Sequence, residues 1–368
     1  MDSKSLLLLS RTALFLFLCG IMISSCRQAD SDSKTDKLVR IQGPAMGTTY
    51  KIAYRDSLDR DIQGEIEKLL EEINASLSTY VPSSVISKFN KNDSLVSSDL
   101  LLKYMTEMSL QIAEQTEGAF DPTIFPLSKF WGFDGKHHES IDTLVLDSIR
   151  ALVGYDKIIL KDYAEGGYLL GKKSKNLQMN FNAIAKGYGV DLLAIKLHNL
   201  GIKHFLVDIG GEMVAKGQKS GGLPWRIAIK YPEVDRPGGT KAAGFLNLKE
   251  QAIATSGNYR NFYEVDGRKL VHTIDPETGY ARENDLLSAS IIITDTANDF
   301  GSSLKAKMSI HPCAVADAYA TSCMVMGFEK AKVFVESIDG IEAILIYVDD
   351  NNESKTYATK GLGLELLD

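Results

Sequence analysis

The segment from Asn180 to Asp191 (NFNAIAKGYGVD) constrains the fold more than any other part of the sequence. Residues 177–181 form a predicted strand, and a predicted helix begins within the segment and runs to about residue 200. The start of a helix offers free N–H groups and the positive end of the helix dipole, and Lys186 adds a mobile positive charge. Two explanations stay open: a site for a phosphate group, or close helix packing through the two glycines of the segment.

The N-terminal residues predict an exported lipoprotein. Lys4 and Arg11 flank the start of an apolar run, residues 12–23, that is too short for a comfortable membrane span. The run leads into Ile-Ser-Ser-Cys, which resembles a bacterial lipobox, so we expect a cleaved signal peptide over residues 1–25 and lipidation of Cys26. The alternative is a retained signal anchor, and both interpretations imply export.

Composition limits the rest of the chain. Residues 26–37 are polar and charged, which is typical of a flexible tether, and residues 38–368 have enough apolar content for one large domain. The formal net charge of −7 and the lack of a Lys/Arg block argue against nucleic acid as a partner. Only two cysteines follow Cys26, so neither a disulfide framework nor a Cys/His zinc site is expected.

Hydrophobic periodicity predicts a mixture of helices and strands, without fixing their topology. Residues 59–77 form a predicted amphipathic helix. Ser83-Ser84 is predicted to cap a short helix that runs to Phe89, and Ser97-Ser98-Asp99 is predicted to start another that runs to about Thr116. Late in the chain, residues 287–293 form an apolar predicted strand, and residues 314–327 form a predicted helix rich in small residues.

An aromatic loop provides one candidate binding element. The sequence Gly-Ala-Phe-Asp-Pro-Thr at residues 118–123 is followed by Phe-Trp-Gly-Phe at residues 130–133. Such a loop, with the carboxylate of Asp121, suits a stacked heterocycle whose ring N–H needs an acceptor. A turn that starts at Asp121 beside an aromatic core cluster explains the same residues equally simply.

Two candidate catalytic elements lie nearer the C-terminus. His272 directly precedes a Pro-Glu-Thr-Gly turn region, where it could act as a base or form a structural hydrogen bond. Asp317 and Thr321 are spaced four apart on one predicted helix and offer the hard oxygen donors that Mg²⁺ or Ca²⁺ prefers. Spacing alone favours a solvated Asp317 and a Thr321 hydroxyl bonded back to a carbonyl.

Taken together, the motifs resemble one family. They run in collinear order over about residues 40–345 and are far more specific as a set than singly. The matched elements are Met46-Gly47-Thr48, Ser78-Thr79-Tyr80, the aromatic loop, Ala185-Lys186-Gly187-Tyr188 with Val190-Asp191, Gly210-Gly211-Glu212, Pro224-Trp225-Arg226, residues 254–259, His272 to Gly279 and Ala316 to Thr321. This set is similar to the ApbE family, the FAD:protein FMN transferases, many of which are lipoproteins.

The resemblance implies a fold and an activity. The implied fold is α+β and related to the T-fold, with a sheet, a helical portion and the flavin site between them. The implied reaction is Mg²⁺-dependent transfer of FMN from FAD to a Thr or Ser hydroxyl of an exported protein, with release of AMP. The alternatives are a Mg²⁺-dependent FAD pyrophosphatase that gives FMN and AMP, and a non-catalytic FAD-binding lipoprotein.

The resemblance also implies roles for individual residues. Mg²⁺ would be bound by Asp317, Thr321 and the main-chain carbonyl of Ala183, and His272 would be the base for the incoming hydroxyl. FAD would contact Met46, Tyr80, Ala119, Phe120, Asp121, Asn180, Lys186 and Ile274, with Thr255 a less certain neighbour.

Three features depart from the family pattern. The family commonly has Asp and Gly where this chain has Asn180 and Asn182, so Asn180 brings no charge to the metal or to FAD. Residues 296–312 look like an insertion, which could form a lid, contact a partner or be a tolerated surface loop.

The expected partners and location follow from the same resemblance. The acceptor would be an exported protein with an accessible Thr or Ser, such as a subunit of an Rnf or Na⁺-translocating quinone reductase complex. The lipid anchor would hold the enzyme at the periplasmic face of the inner membrane, with the outer membrane as the alternative.

Overall fold

The computed structural model describes residues 36–133, 143–163, 166–231, 242–257, 262–265, 268–271, 273–281, 285–294 and 311–366. The predicted signal peptide, Cys26 and nearly all of the predicted tether lie outside these ranges, as do His272 and most of the 296–312 segment. No helix within the described ranges has both the length and the apolar character needed to cross a membrane.

Strands and helices alternate irregularly along the chain. The strands are β1 (Lys37–Ala45), β2 (Thr48–Asp56), β3 (Ser94–Ser97), β4 (Ile158–Asp162), β5 (Tyr168–Lys172), β6 (Phe205–Ile209), β7 (Glu212–Lys216), β8 (Trp225–Lys230), β9 (Ala242–Leu248), β10 (Gln251–Gly257), β11 (Phe262–Val265), β12 (Arg268–Val271), β13 (Leu286–Thr294), β14 (Ile341–Val348), β15 (Ser354–Ala358) and β16 (Glu365–Leu366). The helices are α1 (Gln63–Leu77), α2 (Val85–Lys91), α3 (Leu100–Gln115), α4 (Phe125–Phe130), α5 (Leu146–Arg150), α6 (Ala185–Asn199), α7 (Pro312–Met326) and α8 (Phe328–Glu336).

An eight-stranded sheet forms the centre of the molecule, in the order β1-β2-β6-β7-β10-β13-β14-β15. Each neighbouring pair in it is antiparallel. Smaller sheets are formed by β16-β9-β8, by β3-β5-β4 and by the β11-β12 hairpin. Antiparallel sheets with separate helices confirm the predicted α+β fold class.

The central sheet is buried on both faces. On one face α7 packs against β10 and β13, and α6 packs against α7 and β6. On the other face Trp225 and Ile227 of β8 form a core cluster with Ile253 and Ile292. Ala254 follows Ile253 on β10, and Ile291 precedes Ile292 on β13. Both belong to the core cluster beneath the helices, because successive side chains along a strand point to opposite faces of the sheet.

The first helices follow their sequence signals closely. Ile66, Leu70, Ile73 and Leu77 form the buried stripe of α1, as predicted from their spacing. The side chain of Ser84 accepts from the Ser87 N–H at the start of α2. Asp99 likewise accepts from the Leu102 N–H at the start of α3. The two predicted helix starts are therefore confirmed, and Ser84 and Asp99 are the capping residues within them.

The start of α1 was predicted too early. Helix α1 begins at Gln63 rather than at Asp59. Asp59 has a φ of +54°, which a right-handed helix does not allow. The backbone N–H and the guanidinium of Arg60 both donate to Asp56, which fixes this turn before the helix can begin.

The predicted strand at residues 177–181 is wrong. This segment adopts no regular secondary structure and pairs with no strand among the described residues. Its backbone is satisfied differently: the Asn90 side chain exchanges two hydrogen bonds with the main chain of Met179, and the Asn180 N–H donates to the Pro122 carbonyl. An apolar run that is held by a side-chain amide looks like a strand in sequence, although it joins no sheet.

Candidate active site

One large cavity lies between the helices, the aromatic loop and interior strands of the central sheet. Its volume is about 1350 Å³, above the ~300–1000 Å³ typical of small-molecule pockets. Every predicted binding or metal residue in the described ranges lines it: Met46, Tyr80, Ala119, Phe120, Asp121, Asn180, Ala183, Lys186, Thr255, Ile274, Asp317 and Thr321. His272 lies outside the described residues, and its neighbour Thr273 lines the cavity.

Helices α6 and α7 meet at the cavity in very close contact. A β-carbon on Gly187 would lie 2.3 Å from the Cys313 carbonyl oxygen, so only glycine permits this approach. The Gly187 N–H donates to Oδ2 of Asp317 at 3.0 Å. Close packing and a polar site were alternative explanations of this glycine-containing segment, and the structure combines a close helix contact with a fixed carboxylate.

A second pair of hydrogen bonds joins the same helices. Asp191 on α6 accepts from the Cys313 N–H at 3.1 Å and from the Ala314 N–H at 2.8 Å. A carboxylate at this position satisfies two free N–H groups of α7 and interacts favourably with the positive end of the helix dipole. Asp191 therefore positions the helix that carries Asp317 and Thr321.

A buried charged cluster stands at the wall of the cavity. Nζ of Lys186 lies 2.5 Å from Oε1 of Glu212 and 3.9 Å from Oδ1 of Asp317. The two carboxylate side chains are only 3% and 5% exposed, whereas the Lys186 side chain is 32% exposed. The lysine therefore bridges two buried acids and still reaches the cavity.

Burial and mutual attraction set the protonation of this cluster. Burial acts to lower the pKa of Lys186, but the carboxylates of Asp317 and Glu212 outweigh it and raise that pKa above its ordinary value. Burial also raises the pKa of Glu212, and the neighbouring Lys186 ammonium opposes that rise. Lys186 therefore remains a cation at neutral pH.

Glu212 was present in the sequence motifs but received no role. It begins β7 directly after Gly210 and Gly211, and its Oε2 atom is buried with no hydrogen-bond partner among the described residues. Gly210 has a φ of +67°, and the Gly211 N–H donates to Asp208 at 2.9 Å. The signal available in the sequence was an acid placed immediately after a two-glycine turn.

The predicted metal donors come from α7 and from the segment just before α6. Asp317 and Thr321 lie one turn apart on α7, and Ala183 lies just before α6. No group of three or more His, Cys, Asp and Glu residues in the described ranges could hold a metal ion. The predicted set instead combines one carboxylate, one hydroxyl and one main-chain carbonyl, and such hard oxygen donors fit Mg²⁺. The Lys186 ammonium beside Asp317 indicates that this carboxylate attracts a cation.

The aromatic loop and Tyr80 also line the cavity. Phe120 is buried there, whereas Tyr80 is 67% exposed. Asp121 stabilises the loop: its Oδ1 accepts from the N–H and the hydroxyl of Thr123, and its Oδ2 accepts from the Tyr155 N–H. Burial raises the pKa of Asp121. The turn explanation therefore accounts for both carboxylate oxygens of this residue.

Trp131 belongs to the core beneath the loop. Its indole N–H donates to the Gly279 carbonyl at 2.7 Å, and the ring packs in a small core cluster with Leu127 and Ile274. The aromatic-core explanation of this part of the motif is confirmed for Trp131.

The two asparagines that depart from the family pattern differ in environment. Asn180 is 4% exposed, and its side-chain oxygen accepts from the Asn182 N–H at 3.3 Å. Asn182 itself is exposed. This turn places Asn180 at the wall of the cavity without adding a charge.

The sequence analysis missed two further polar or packing contacts. The hydroxyls of Thr255 and Ser290 lie 2.8 Å apart on paired strands, and both residues line the cavity. Met46 has a φ of +46°, and a β-carbon on Gly189 would lie 2.9 Å from its Cε atom. The second glycine of α6 therefore makes room for Met46.

Comparisons with known proteins agree with this geometry. The chain matches the ApbE family over residues 46–345. It is 34% identical to an FAD:protein FMN transferase of Vibrio cholerae over 89% of this chain and 92% of that protein. It is 30% identical to an FAD:protein FMN transferase of Escherichia coli strain K12 over 95% of each chain.

Solved structures give the same assignment. The flavin transferase ApbE from Vibrio cholerae has a TM-score of 0.72 at 33% identity, covering 88% of this chain and 98% of that chain. The apo form of the flavinyl transferase ApbE from Pseudomonas stutzeri has a TM-score of 0.73 at 32% identity, covering 89% of this chain and 96% of that chain. With its motifs, its fold and its cavity in agreement, the chain belongs to the ApbE family.

Proposed function

We propose that this protein is an FAD:protein FMN transferase that moves FMN from FAD to a Thr or Ser hydroxyl of an exported protein with Mg²⁺ bound. Family membership and the names of its relatives support the transferase activity. The observation that carries the proposal is that a cation, a fixed carboxylate and a hydroxyl, from Lys186, Asp317 and Thr321, line one cavity large enough for a dinucleotide.

The reaction balances without an outside oxidant or reductant. The acceptor oxygen attacks the phosphorus of the FMN half of FAD, the phosphoanhydride bond breaks, and a phosphoester bond forms. AMP leaves with the bridging oxygen, and the proton of the acceptor hydroxyl passes to a base. We assign that base to His272, because an imidazole can accept a proton near neutral pH.

Charge balance explains the other polar residues. The pyrophosphate of FAD is anionic, and the positively charged Lys186 would bind its oxygens. Asp317, Thr321 and the carbonyl of Ala183 would hold Mg²⁺, which would neutralise phosphate charge when bound. The fixed Gly187–Asp317 hydrogen bond orients the carboxylate before any ligand arrives.

The flavin and adenosine groups would occupy the remainder of the cavity. Phe120 and Tyr80 offer aromatic surface to a planar ring. Met46, Ala119, Asp121, Asn180 and Ile274 complete the proposed FAD contacts, with Thr255 a peripheral neighbour.

Location and partner belong to the same proposal. A lipid on Cys26 and a tether over residues 26–37 would hold the domain at the periplasmic face of the inner membrane. A redox subunit of an Rnf or Na⁺-translocating quinone reductase complex would then lie within reach as acceptor. The lipobox-like sequence supports the anchor.

The test is a transfer assay with the full chain in mild detergent, FAD, Mg²⁺ and a candidate acceptor domain that has an accessible Thr or Ser, such as an Rnf subunit domain. The intact mass of the acceptor and the released AMP are followed together. The expected result is an acceptor that gains the mass of FMN less water, at the same rate as AMP appears, with both lost when Mg²⁺ is chelated.

Other outcomes would contradict the proposal in different ways. AMP and free FMN beside an unmodified acceptor would favour the pyrophosphatase. FAD that binds without releasing AMP would favour the carrier. Transfer that continues under chelation would leave the transferase intact and overturn the metal site.

A further inference from the structure

The Lys186 ammonium has two buried carboxylates within reach, and it is bonded to only one of them. Its distance to Oε1 of Glu212 is 2.5 Å, whereas its distance to Oδ1 of Asp317 is 3.9 Å, beyond hydrogen-bond range. Oδ2 of Asp317 accepts the Gly187 N–H. Oδ1 is therefore the oxygen of Asp317 for which Lys186 and a metal ion would compete.

We propose that Glu212 is a positioning residue that holds Lys186 away from Asp317 and so keeps the Asp317 carboxylate free for a divalent cation. The inference rests on the proposed function, because it takes Asp317 as the metal ligand. It assigns a role to a residue that has none in the reaction described above.

The anchoring of Glu212 suits this role. Glu212 follows a turn whose two glycine N–H groups donate to the Thr49 carbonyl and to Asp208, so its backbone is fixed. Its side chain is 3% exposed, and Oε2 has no hydrogen-bond partner among the described residues. A buried carboxylate with an unused oxygen is costly, so its presence beside the cavity calls for a compensating function.

Electrostatics predict what happens to Lys186 when Glu212 is removed. An ammonium that loses Glu212 keeps one buried carboxylate nearby, that of Asp317, and moves toward it because attraction between charges is strong where water is excluded. A lysine bonded to Asp317 competes directly with Mg²⁺ for Oδ1. With Glu212 in place, the same lysine stays beside the site and free to meet phosphate oxygens.

The experiment is a double-mutant cycle read by Mg²⁺ binding. Calorimetry would measure the Mg²⁺ affinity of the full chain without nucleotide, because a free nucleoside diphosphate would itself bind Mg²⁺. The variants are Glu212→Gln, Lys186→Met and the double variant. We expect Glu212→Gln to weaken Mg²⁺ binding about tenfold when Lys186 is present. In the Lys186→Met background, Glu212→Gln should change the affinity by less than about twofold.

Two further variants separate positioning from general damage. Glu212→Asp keeps the charge and should retain more Mg²⁺ affinity than Glu212→Gln. Glu65→Gln removes the partner of Lys196, an ion pair between α1 and α6 whose carboxylate side chain is 50% exposed, and should leave Mg²⁺ affinity unchanged. Circular dichroism and thermal unfolding would verify that each variant is folded.

The outcomes distinguish failure of the positioning role of Glu212 from failure of the proposed Mg²⁺ site. Unchanged Mg²⁺ affinity in Glu212→Gln would overturn the positioning role and leave the metal site standing. Equal weakening with and without Lys186 would also overturn it, since Glu212 would then act on the metal directly. Failure of the unmodified protein to bind Mg²⁺ would overturn the metal site and this inference together.

Discussion

Gly187 and Cys313 approach so closely that a β-carbon on the glycine would lie 2.3 Å from the cysteine carbonyl oxygen and 2.6 Å from its carbonyl carbon. Both of the atoms met are backbone atoms, so no side-chain rotation could relieve the contact. Gly187 also donates its N–H to the Asp317 carboxylate. The tightest helix contact at the cavity and the proposed metal ligand are therefore mechanically linked.

Gly187→Ala should consequently separate α6 from α7. We expect a loss of unfolding free energy of about 1–3 kcal/mol, the usual cost of overpacking a core, together with weaker Mg²⁺ binding. Gly64→Ala is the matched control, because Gly64 lies in α1 with no atom within 4 Å of an added β-carbon. That variant should be neutral or stabilising by up to about 1 kcal/mol. Urea unfolding measures both, and equal stability of the two variants would contradict the packing argument.

Asp191→Ala should disturb the metal site through the start of α7. It removes the acceptor for the Cys313 and Ala314 N–H groups, so we expect a stability loss of about 1–3 kcal/mol and a lower Mg²⁺ affinity. Asp99→Ala removes the N-cap of α3 instead and should cost about 1 kcal/mol without altering Mg²⁺ affinity. Thermal unfolding and Mg²⁺ calorimetry compare the two. An identical effect on Mg²⁺ in both variants would show that only general stability matters.

Asp317→Ala and His272→Ala should fail in different ways. Loss of the Asp317 carboxylate removes a proposed metal ligand, so Mg²⁺ and FAD binding should weaken together. Loss of the proposed base should leave FAD bound while transfer stops. Flavin fluorescence titrations measure binding, and acceptor mass measures transfer. The role assigned to His272 would be wrong if both variants lost FAD affinity equally.

The Asp56–Arg60 pair should make stability depend on acid pH. Hydrogen bonding to the Arg60 guanidinium lowers the pKa of Asp56 from 3.8 to about 2. A lowered carboxyl pKa contributes stability that is present above the unfolded pKa and is lost as pH falls toward the folded pKa. Asp56→Asn should therefore cost about 2 kcal/mol at pH 6, and the difference from the unmodified protein should shrink between pH 4 and pH 2.

The measurement for this pair is chemical unfolding at several pH values. Glu71→Gln is the control, because Glu71 is an exposed carboxylate on α1. Its difference from the unmodified protein should stay small across the same pH range. A constant difference between Asp56→Asn and the unmodified protein from pH 6 to pH 2 would contradict the assignment.

Local sequence signals predicted much of the secondary structure. The buried stripe of α1, the caps at Ser84 and Asp99, and the small-residue helix α7 follow from spacing and capping chemistry that act within one turn. The start of α1 was misplaced because a local turn between Asp56 and Arg60 delays it, whereas the error at residues 177–181 arose where a distant contact decides. Residues 177–181 have strand-like sequence, yet Asn90, far earlier in the chain, satisfies their backbone.

Some features of the candidate site could be predicted from the sequence, and others depend on contacts between distant residues. Motif order predicted one set of binding residues, and the described members of that set line one cavity, while their individual roles stay predictions. The Lys186–Glu212 pair could not be read from the sequence, because it joins residues on a helix and a strand that only the folded sheet brings together. Nor could the sequence predict that Asp191 accepts hydrogen bonds from the first N–H groups of α7, because a capping residue usually belongs to the start of the helix that it caps.

The link between α6 and α7 also has a consequence for how the chain matures. The hydrogen bond from Gly187 to Asp317 connects positions 130 residues apart. A chain that is still emerging from the ribosome holds Lys186 and Glu212 but lacks Asp317 and Thr321. Synthesis must therefore be nearly complete before the pocket exists, and a polypeptide that terminates before residue 317 would lack the helix that forms one of its walls.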